Sequence, residues 1–405
     1  MEALGAPRSP PPATAATSAI LDDDDLLGEI LLRVAFPTSL VRTALVCKSW
    51  LRLASDPVFL RRFRDLHPPS FLGFYVKTGG TKPPRFVPMP QPPELAAVVH
   101  RANFDLGTLG SDSFGFCVDC WNGLLLLTSY LHDGPPVRTV RCPLYPGRYT
   151  TILPPVPQTS SIHDDRFTYY DREVILKGGD DGLSFFYLAM GVEGQQTIVD
   201  VYVLQDDIWA IYSSVATEFT RISLRLDHVA SLIGDGKIYT LAYVSGINIL
   251  IVLDLVSASL SLVNLPEEVL SWCGKLSLAD DDSGVHLITL KDLQIRIWLH
   301  GVDGNNGAAN WFLVNTICLR EICANHMIPS HGFKDADVHA PGSNSEFVFI
   351  KADNALYLFY IKSKVLKKVY DVTEEDDYVF SVSPFMMVWP PKFPLMKEGR
   401  DLLKE

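Results

Sequence analysis

The sequence predicts an α+β multidomain protein, in which a small helical domain precedes a large all-β domain. Two observations predict this division. Residues 24–66 place apolar residues at the spacing of short helices, whereas the chain from about residue 100 onward alternates short apolar runs with turn residues. We therefore predict a disordered tail over 1–19, the helical domain over 20–66, the β-rich domain over 67–395 and a second tail over 396–405.

Composition narrows the class of protein. Hydrophobic residues make up 47% of the chain and charged residues 20%, which is typical of a globular protein. The net charge of −12 argues against nucleic acid or an anionic membrane as a partner, since both favour a basic face. No apolar run reaches the roughly 18 residues of a membrane span. Prolines at 10–12 interrupt any secretory signal. Seven cysteines, an odd number, do not suggest a disulfide framework, so we expect a cytoplasmic or nuclear protein.

The first predicted helix runs from Asp24 to Val34. The acidic run Asp22–Asp25 can cap its free N–H groups and meet the positive end of its dipole. Phe36-Pro37 ends it, because proline disfavours helix in the residue before it. Its wide apolar stripe consists of Leu26, Leu27, Ile30, Leu31 and Val34.

Three more short helices are predicted before His67-Pro68. Thr38 or Ser39 can cap the second helix, and the third ends near Ala54. Asp56 caps the fourth, with Pro57 at its first helical position. The apolar face of this last helix consists of Val58, Phe59, Leu60 and Phe63.

The helical segments carry four sub-motifs in a fixed order. They read Asp24-Asp25-Leu26-Leu27-Gly28-Glu29-Ile30-Leu31-Leu32-Arg33-Val34, then Pro37-Thr38-Ser39-Leu40-Val41-Arg42, then Leu45-Val46-Cys47-Lys48-Ser49-Trp50, then Ser55-Asp56-Pro57-Val58-Phe59-Leu60-Arg61-Arg62. At these spacings, over residues 20–64, they resemble an F-box. The continuation from Phe63 to Tyr75 is similar to plant F-box proteins with a β-propeller-like F-box-associated domain.

The resemblance implies a substrate receptor of a cullin-type ubiquitin ligase. F-box helices of that family bind a Skp-family adaptor, and through it a cullin, while the β-rich domain holds a protein target. A short helical module cannot bury all its apolar side chains against itself, and those left exposed mark a partner surface. We expect the adaptor to contact Leu26, Leu27, Ile30, Leu31, Pro37, Leu40, Val41, Val46, Cys47 and Trp50. The module's own core is expected to include Leu45, Leu53 and Phe59.

The second domain has the strand density of a β-propeller. Phe71 to Val76 reads as its first strand, and residues 77–93, rich in Pro and Gly, as a surface loop without helix or central strand. A strand–turn–strand unit recurs at 142–154, 254–266 and 353–369, the first two ending in Leu-Pro. This spacing predicts blades of about 40–50 residues and six or seven of them. A pair of β-sandwiches is the alternative.

No sequence motif predicts catalysis, a metal or a cofactor. Cys117-x-x-Cys120 lacks nearby zinc ligands, and Lys177–Gly182 lacks the Gly-Lys-Ser/Thr ending of a phosphate cradle and reads as a hairpin turn. Cys318 and Cys323 lie in one predicted helix, Ile317–Ala324, and read as packing residues. Two other functions stay open: a protein-binding scaffold outside any ligase, and a propeller enzyme whose distant residues, such as His286, meet in the fold.

Overall fold

The computed structural model divides into two compact units. The helical unit comprises residues up to 72, 89–102 and 386 onward, and the strand unit comprises 73–88 and 103–385. The structure describes residues 23–393 apart from 80–82, 107–112, 132–134, 146–149, 158–173, 180–181, 194–195, 218–221, 225–231, 235, 245–246, 270–273, 280–283, 303–308, 326–332, 334 and 343–344. The predicted tails, 1–19 and 396–405, lie outside the described residues.

The described residues of the helical unit form five helices. They are α1 (Asp24–Leu31), α2 (Pro37–Ala44), α3 (Lys48–Ala54), α4 (Pro57–Leu66) and α5 (Pro93–Arg101). Aspartates cap two of these helices as predicted. At the start of α1, the Asp23 carboxylate accepts hydrogen bonds from the N–H groups of Asp25 and Leu26. At the start of α4, the Asp56 carboxylate accepts from the N–H groups of Val58 and Phe59. None of these helices, nor any other in the described part of the chain, is long and apolar enough to cross a membrane.

One predicted helix start is wrong. α2 begins at Pro37, with Phe36 as its N-cap and without a side-chain capping bond, so Thr38 and Ser39 lie inside the first turn. Proline supplies the reason, because its fixed φ suits the first helical position and its missing N–H needs no cap there.

Within the described part of the strand unit there are six small antiparallel sheets. The first combines β1 (Phe71–Thr78), β2 (Arg85–Pro88) and β24 (Val379–Met386), in the order β2-β1-β24. The second contains β3 (Ser113–Trp121), β4 (Leu124–Leu131), β5 (Val137–Arg141) and β6 (Thr150–Ile152). The third contains β7 (Val174–Gly179), β8 (Gly182–Glu193), β9 (Gln196–Gln205) and β10 (Ile208–Thr217).

The other three sheets also follow chain order. The fourth contains β11 (Ile222–Leu224), β12 (Leu232–Gly234), β13 (Lys237–Val244), β14 (Ile247–Asp254) and β15 (Ser259–Asn264), with both β11 and β12 paired to β13. The fifth contains β16 (Lys275–Leu278), β17 (Val285–Lys291), β18 (Gln294–Val302) and β19 (Ala309–Cys318), after which comes α6 (Leu319–Asn325). The sixth contains β20 (Asp337–Pro341), β21 (Phe347–Ala352), β22 (Ala355–Tyr360) and β23 (Val365–Asp371).

Each sheet packs against the next through buried apolar side chains. Separate clusters join the second sheet to the third, the third to the fourth, the fourth to the fifth and the fifth to the sixth. Between the first and second sheets, Phe104 stacks on Phe86 with ring centroids 3.8 Å apart, and Asn103 N–H donates to the Pro143 carbonyl. Phe74 and Phe349, 4.8 Å apart, join the sixth sheet to the first. The six sheets thus form the closed series expected of a propeller.

The structure corrects four details of the β-rich domain. Residues 85–88, predicted as loop, form an edge strand paired with β1. Of the predicted strand–turn–strand repeats, only 353–369 contains two strands, β22 and β23, whereas 142–154 and 254–266 cover the turn before the outer strand and that strand, β6 or β15. The second to sixth sheets begin at residues 113, 174, 222, 275 and 337, so the intervals of 48 to 62 residues are mostly longer than predicted. The helix predicted over Ile317–Ala324 begins two residues later, at Leu319, because Ile317 and Cys318 are the last two residues of β19.

Asp376 ties the sixth sheet to the first. This residue follows β23 and is 4% exposed. Its carboxylate accepts hydrogen bonds from the Thr373 N–H and hydroxyl, both at 3.0 Å, and from the Tyr370 hydroxyl at 2.9 Å. A guanidinium nitrogen of Arg85 on β2 lies 3.4 Å from a carboxylate oxygen of Asp376. Burial raises the pKa of Asp376, but these hydrogen bonds and the Arg85 charge outweigh it, so the pKa lies below its ordinary value.

We expect Asp376→Asn to lower the free energy of unfolding by about 2 kcal/mol at pH 7, because a buried charged acceptor is lost. A depressed folded-state pKa gives stability above the unfolded pKa, and this stability is lost as the pH falls through the folded pKa. Urea unfolding of the wild type and of Asp376→Asn should therefore show that the difference between their free energies of unfolding decreases from pH 7 toward about pH 3. A difference that stays constant with pH would contradict this role.

Candidate functional site

The helical unit builds a core of its own. Leu27 and Leu31 of α1, Leu40 and Ala44 of α2, and Phe63 of α4 are at most 1% exposed and belong to one cluster. Its remaining buried members are Leu32, Ala54 and Phe59. Apolar residues at i and i+4 fall on one face of a helix, so α1 and α2 turn these faces inward.

Other apolar side chains of the same helices face solvent. Leu26 is 48% exposed and Ile30 39%, both on α1. Leu45 is 51% and Val46 66% exposed in the connection between α2 and α3, where the Cys47 thiol is also exposed. Val41 and Trp50 are half-buried. We call the set Leu26, Ile30, Val41, Leu45, Val46, Cys47 and Trp50 the apolar docking surface.

The structure divides the ten predicted contact residues into two groups. Six of them, Leu26, Ile30, Val41, Val46, Cys47 and Trp50, belong to the apolar docking surface. The other four, Leu27, Leu31, Pro37 and Leu40, are buried in the helical unit and do not reach its surface. Periodicity places Leu26, Leu27, Ile30 and Leu31 on one apolar stripe, but only packing decides which side of a wide stripe is covered.

The predicted core of the module is corrected in the same way. Phe59 is buried as predicted and Leu53 is half-buried, whereas the prediction for Leu45 is wrong. Leu45 caps the C-terminus of α2, one position beyond the buried Ala44, and so faces away from the core. Val58, predicted on the apolar face of α4, is 57% exposed.

Two ion pairs connect α1 to α3 and α4. Asp24 lies 2.6 Å from Arg52 of α3, and Glu29 lies 2.6 Å from Arg62 of α4. All four side chains are more than half exposed, so each pair adds little stability. Asp24 and Glu29 thus join α1, which carries Leu26 and Ile30, to α3 and α4.

The two cysteine pairs lie on β3 and at the junction of β19 with α6. Cys117 and Cys120 lie within β3 rather than at its border, and the side chain of Cys117 is outside the described residues. Cys318 and Cys323 are both free thiols, and burial raises the pKa of Cys323, which makes this thiol less reactive. Among the residues described, no three His, Cys, Asp or Glu side chains group to hold a metal ion.

Two polar residues of the strand unit, Asp119 and His286, lie in surroundings that bear on catalysis. Burial raises the pKa of Asp119 to about 6, and its carboxylate accepts from the Cys120 N–H at 2.8 Å. His286 Nδ1 lies 2.9 Å from the Ser345 hydroxyl, the spacing of a nucleophile and its base. Ser345, however, is buried and its N–H donates to Ser277 Oγ of the neighbouring sheet. We interpret this pair as a link between the fifth and sixth sheets.

The glycine-rich segment of the third sheet is a hairpin. Gly179 of β7 pairs directly with Gly182 of β8, as the sequence predicts, while residues 180–181 are outside the described part. A strand continues on each side, so the segment lacks the strand-to-helix turn that a phosphate cradle needs.

Comparisons with known proteins address both units. The family model for the F-box domain matches residues 23–62, and the model described as F-box protein AT5G49610-like, beta-propeller, matches residues 116–393. No curated protein sequence matches the chain significantly.

Several solved structures show remote similarity. TolB from Acinetobacter baumannii has 11% identity and a TM-score of 0.39, over 82% of this chain and 71% of that one. The periplasmic gluconolactonase PpgL of Pseudomonas aeruginosa has 13% identity and a TM-score of 0.38, over 74% and 82%. A chain from a study of two prolyl endopeptidases has 11% identity and a TM-score of 0.34, over 69% of this chain. The present chain spans only 37% of that endopeptidase chain.

The second family model covers well over half of the 405 residues, and the first covers α1 to α3, which with their connections carry the apolar docking surface, and the first part of α4. The helical unit supplies the F-box and the strand unit supplies the propeller sheets. The chain therefore belongs to the family of F-box proteins with an AT5G49610-like β-propeller.

Proposed function

We propose that this chain is the substrate receptor of a Skp-cullin-F-box ubiquitin ligase, acting in the cytoplasm or nucleus. The observation that carries the proposal is the apolar docking surface. The F-box helices complete a core with Leu27, Leu31, Leu40 and Phe63, and still expose Leu26, Ile30, Leu45 and Val46. Large apolar side chains exposed together on so small a module favour a protein partner over water.

The division of labour follows from the two units. A Skp-family adaptor covers the apolar docking surface and connects the chain to a cullin. The propeller holds the target protein through the loops that join its strands, since loops on a rigid scaffold are the usual recognition elements. The chain itself makes or breaks no bond; the partner subunits transfer ubiquitin. Both the adaptor and the target are proteins, which is compatible with the net charge of −12.

We expect the double variant Ile30→Asp, Val46→Asp to bind a purified Skp-family adaptor at least about 100-fold more weakly than the wild type, because it buries two charges in an apolar interface. Both side chains are exposed, so the F-box should still fold. Changes at Leu27 or Leu31 would instead insert a charge into the core. Calorimetric titration of the full chain measures the loss.

Val256→Asp is the matched control. Val256 is 88% exposed in the strand unit, so this variant adds one charge to an exposed apolar site outside the F-box. It should bind the adaptor as the wild type does. Equal binding by the double variant and the control would contradict the proposed surface.

Reconstitution distinguishes the receptor from the two alternative functions. A ligase receptor should form a complex with adaptor and cullin together. Adaptor binding without cullin recruitment would favour a scaffold, and turnover of a small molecule by the free chain would favour an enzyme. Proximity labelling with the double variant, which should retain a target without ubiquitin transfer, would identify the target.

A further inference from the structure

The buried face of α4 is completed by residues that are distant in sequence. Phe59, Phe63 and His67 follow one another at intervals of four, with ring centroids 6.2 and 4.6 Å apart. The indole of Trp389 stacks on Phe63, with 5.8 Å between ring centroids and 10° between the ring planes. Phe393 packs against the same cluster. The F-box core therefore includes side chains that lie outside the F-box sequence.

The segment 387–393, which we call the F-box clasp, is fixed within the helical unit at several points. The Met387 N–H donates to the Ser70 carbonyl at 2.8 Å, four residues beyond the end of α4. Met387 and Val388 are buried, and the stack on Trp389 leaves Phe63 fully buried. Backbone and side chains of the clasp both contribute, which distinguishes it from a tail resting on the surface.

The helix under the clasp supports the docking surface. His67, the residue that caps α4, has its Nε2 atom 2.8 Å from the carbonyl oxygen of Leu32, directly after α1. Arg62 of α4 pairs with Glu29 of α1. α1 carries Leu26 and Ile30, so the position of α4 determines where these two side chains are presented.

We propose that Trp389 is a positioning residue for the adaptor-docking surface. Trp389 is not a member of that surface; it acts through Phe63 and the orientation of α4. Its removal would leave Phe63 without its stacking partner, so that α4 and then α1 become free to move. The inference rests on the proposed function for its effect on binding, but not for its effect on the helices.

The test compares full-length Trp389→Ala, Trp389→Phe and, as control, Lys392→Ala, whose side chain is exposed in the same clasp. We expect Trp389→Ala to weaken adaptor binding by about tenfold and to speed amide hydrogen exchange in α1 and α4 of the free protein at least about tenfold. Trp389→Phe keeps an aromatic ring over Phe63 and should recover most of both losses. Lys392→Ala should behave as the wild type.

Exchange in β17 and β18, measured in the same samples, reports on general unfolding. Three results for Trp389→Ala would each overturn the positioning role. The first is amide exchange that is faster in β17 and β18 by the same factor as in α1 and α4. The others are unchanged exchange in α1 and α4, and unchanged adaptor binding despite faster exchange in these helices. If the wild type fails to bind the adaptor while Trp389→Ala still loosens α1 and α4 alone, the proposed function fails and the clasp stands.

Discussion

Replacement of Phe349 by alanine should lower the free energy of unfolding of the strand unit by about 3–5 kcal/mol. Phe349 is a fully buried residue of β21, and its ring contacts Phe74 of β1 at 4.8 Å and Phe347 at 5.9 Å, the latter edge to face. Truncation leaves a cavity where the sixth sheet meets the first. The closed series of sheets depends on this contact together with the pairing of β1 with β24, because both join strands from the two ends of the domain.

Phe312→Ala provides the control for this prediction. Phe312 lies on the edge strand β19 and is 39% exposed, so its loss leaves no closed cavity and should cost less than about 1 kcal/mol. Guanidinium unfolding followed by circular dichroism measures both variants. If Phe349→Ala and Phe312→Ala lower the free energy of unfolding equally, the contact between the first and sixth sheets makes no specific contribution to stability.

Gly284→Ala should destabilise the strand unit by at least about 3 kcal/mol. Gly284 precedes β17 with φ at +153°, a conformation that side-chain-bearing residues rarely adopt. A Cβ atom there would lie 2.1 Å from the carbonyl oxygen of His300 on the paired strand β18. The obstacle is backbone, so it cannot move aside without disturbing the ladder between β17 and β18.

The opposite change at Ala258 tests the same physical rule. Ala258, exposed in the turn between β14 and β15, has φ at +50° and carries the Cβ penalty of a left-handed residue. Ala258→Gly should therefore stabilise the protein slightly, by roughly 0.5 kcal/mol after the entropy cost of glycine. The two variants should shift the midpoint of thermal unfolding in opposite directions, and a shift in the same direction would refute the backbone explanation.

Local chemistry determined most of the elements. The carboxylates of Asp23 and Asp56 start α1 and α4, because each acts within one helical turn of its own position. Apolar runs and turn residues predicted β1, which extends two residues further than expected, and the hairpin between β7 and β8. Such signals need only neighbouring residues, so a single sequence is sufficient to find them.

Long-range packing decided what the sequence left open. Val379–Met386 carries no signal that it belongs beside β1, since strand pairing across the whole domain depends on which edges remain free. Leu27 and Leu26 are neighbours on one apolar stripe, yet the first is fully buried and the second is half exposed. Trp389 is one of seven tryptophans, and nothing near it in sequence indicates Phe63 as its partner.

The sequence by itself therefore determined the F-box, the β-rich domain and the apolar residues from which the docking surface is drawn. Only the tertiary structure decided which of those residues reach the surface, how the first sheet closes and which distant segment supports α4. The physical reason is that periodicity defines the face of an element, whereas burial depends on what the rest of the chain places against that face.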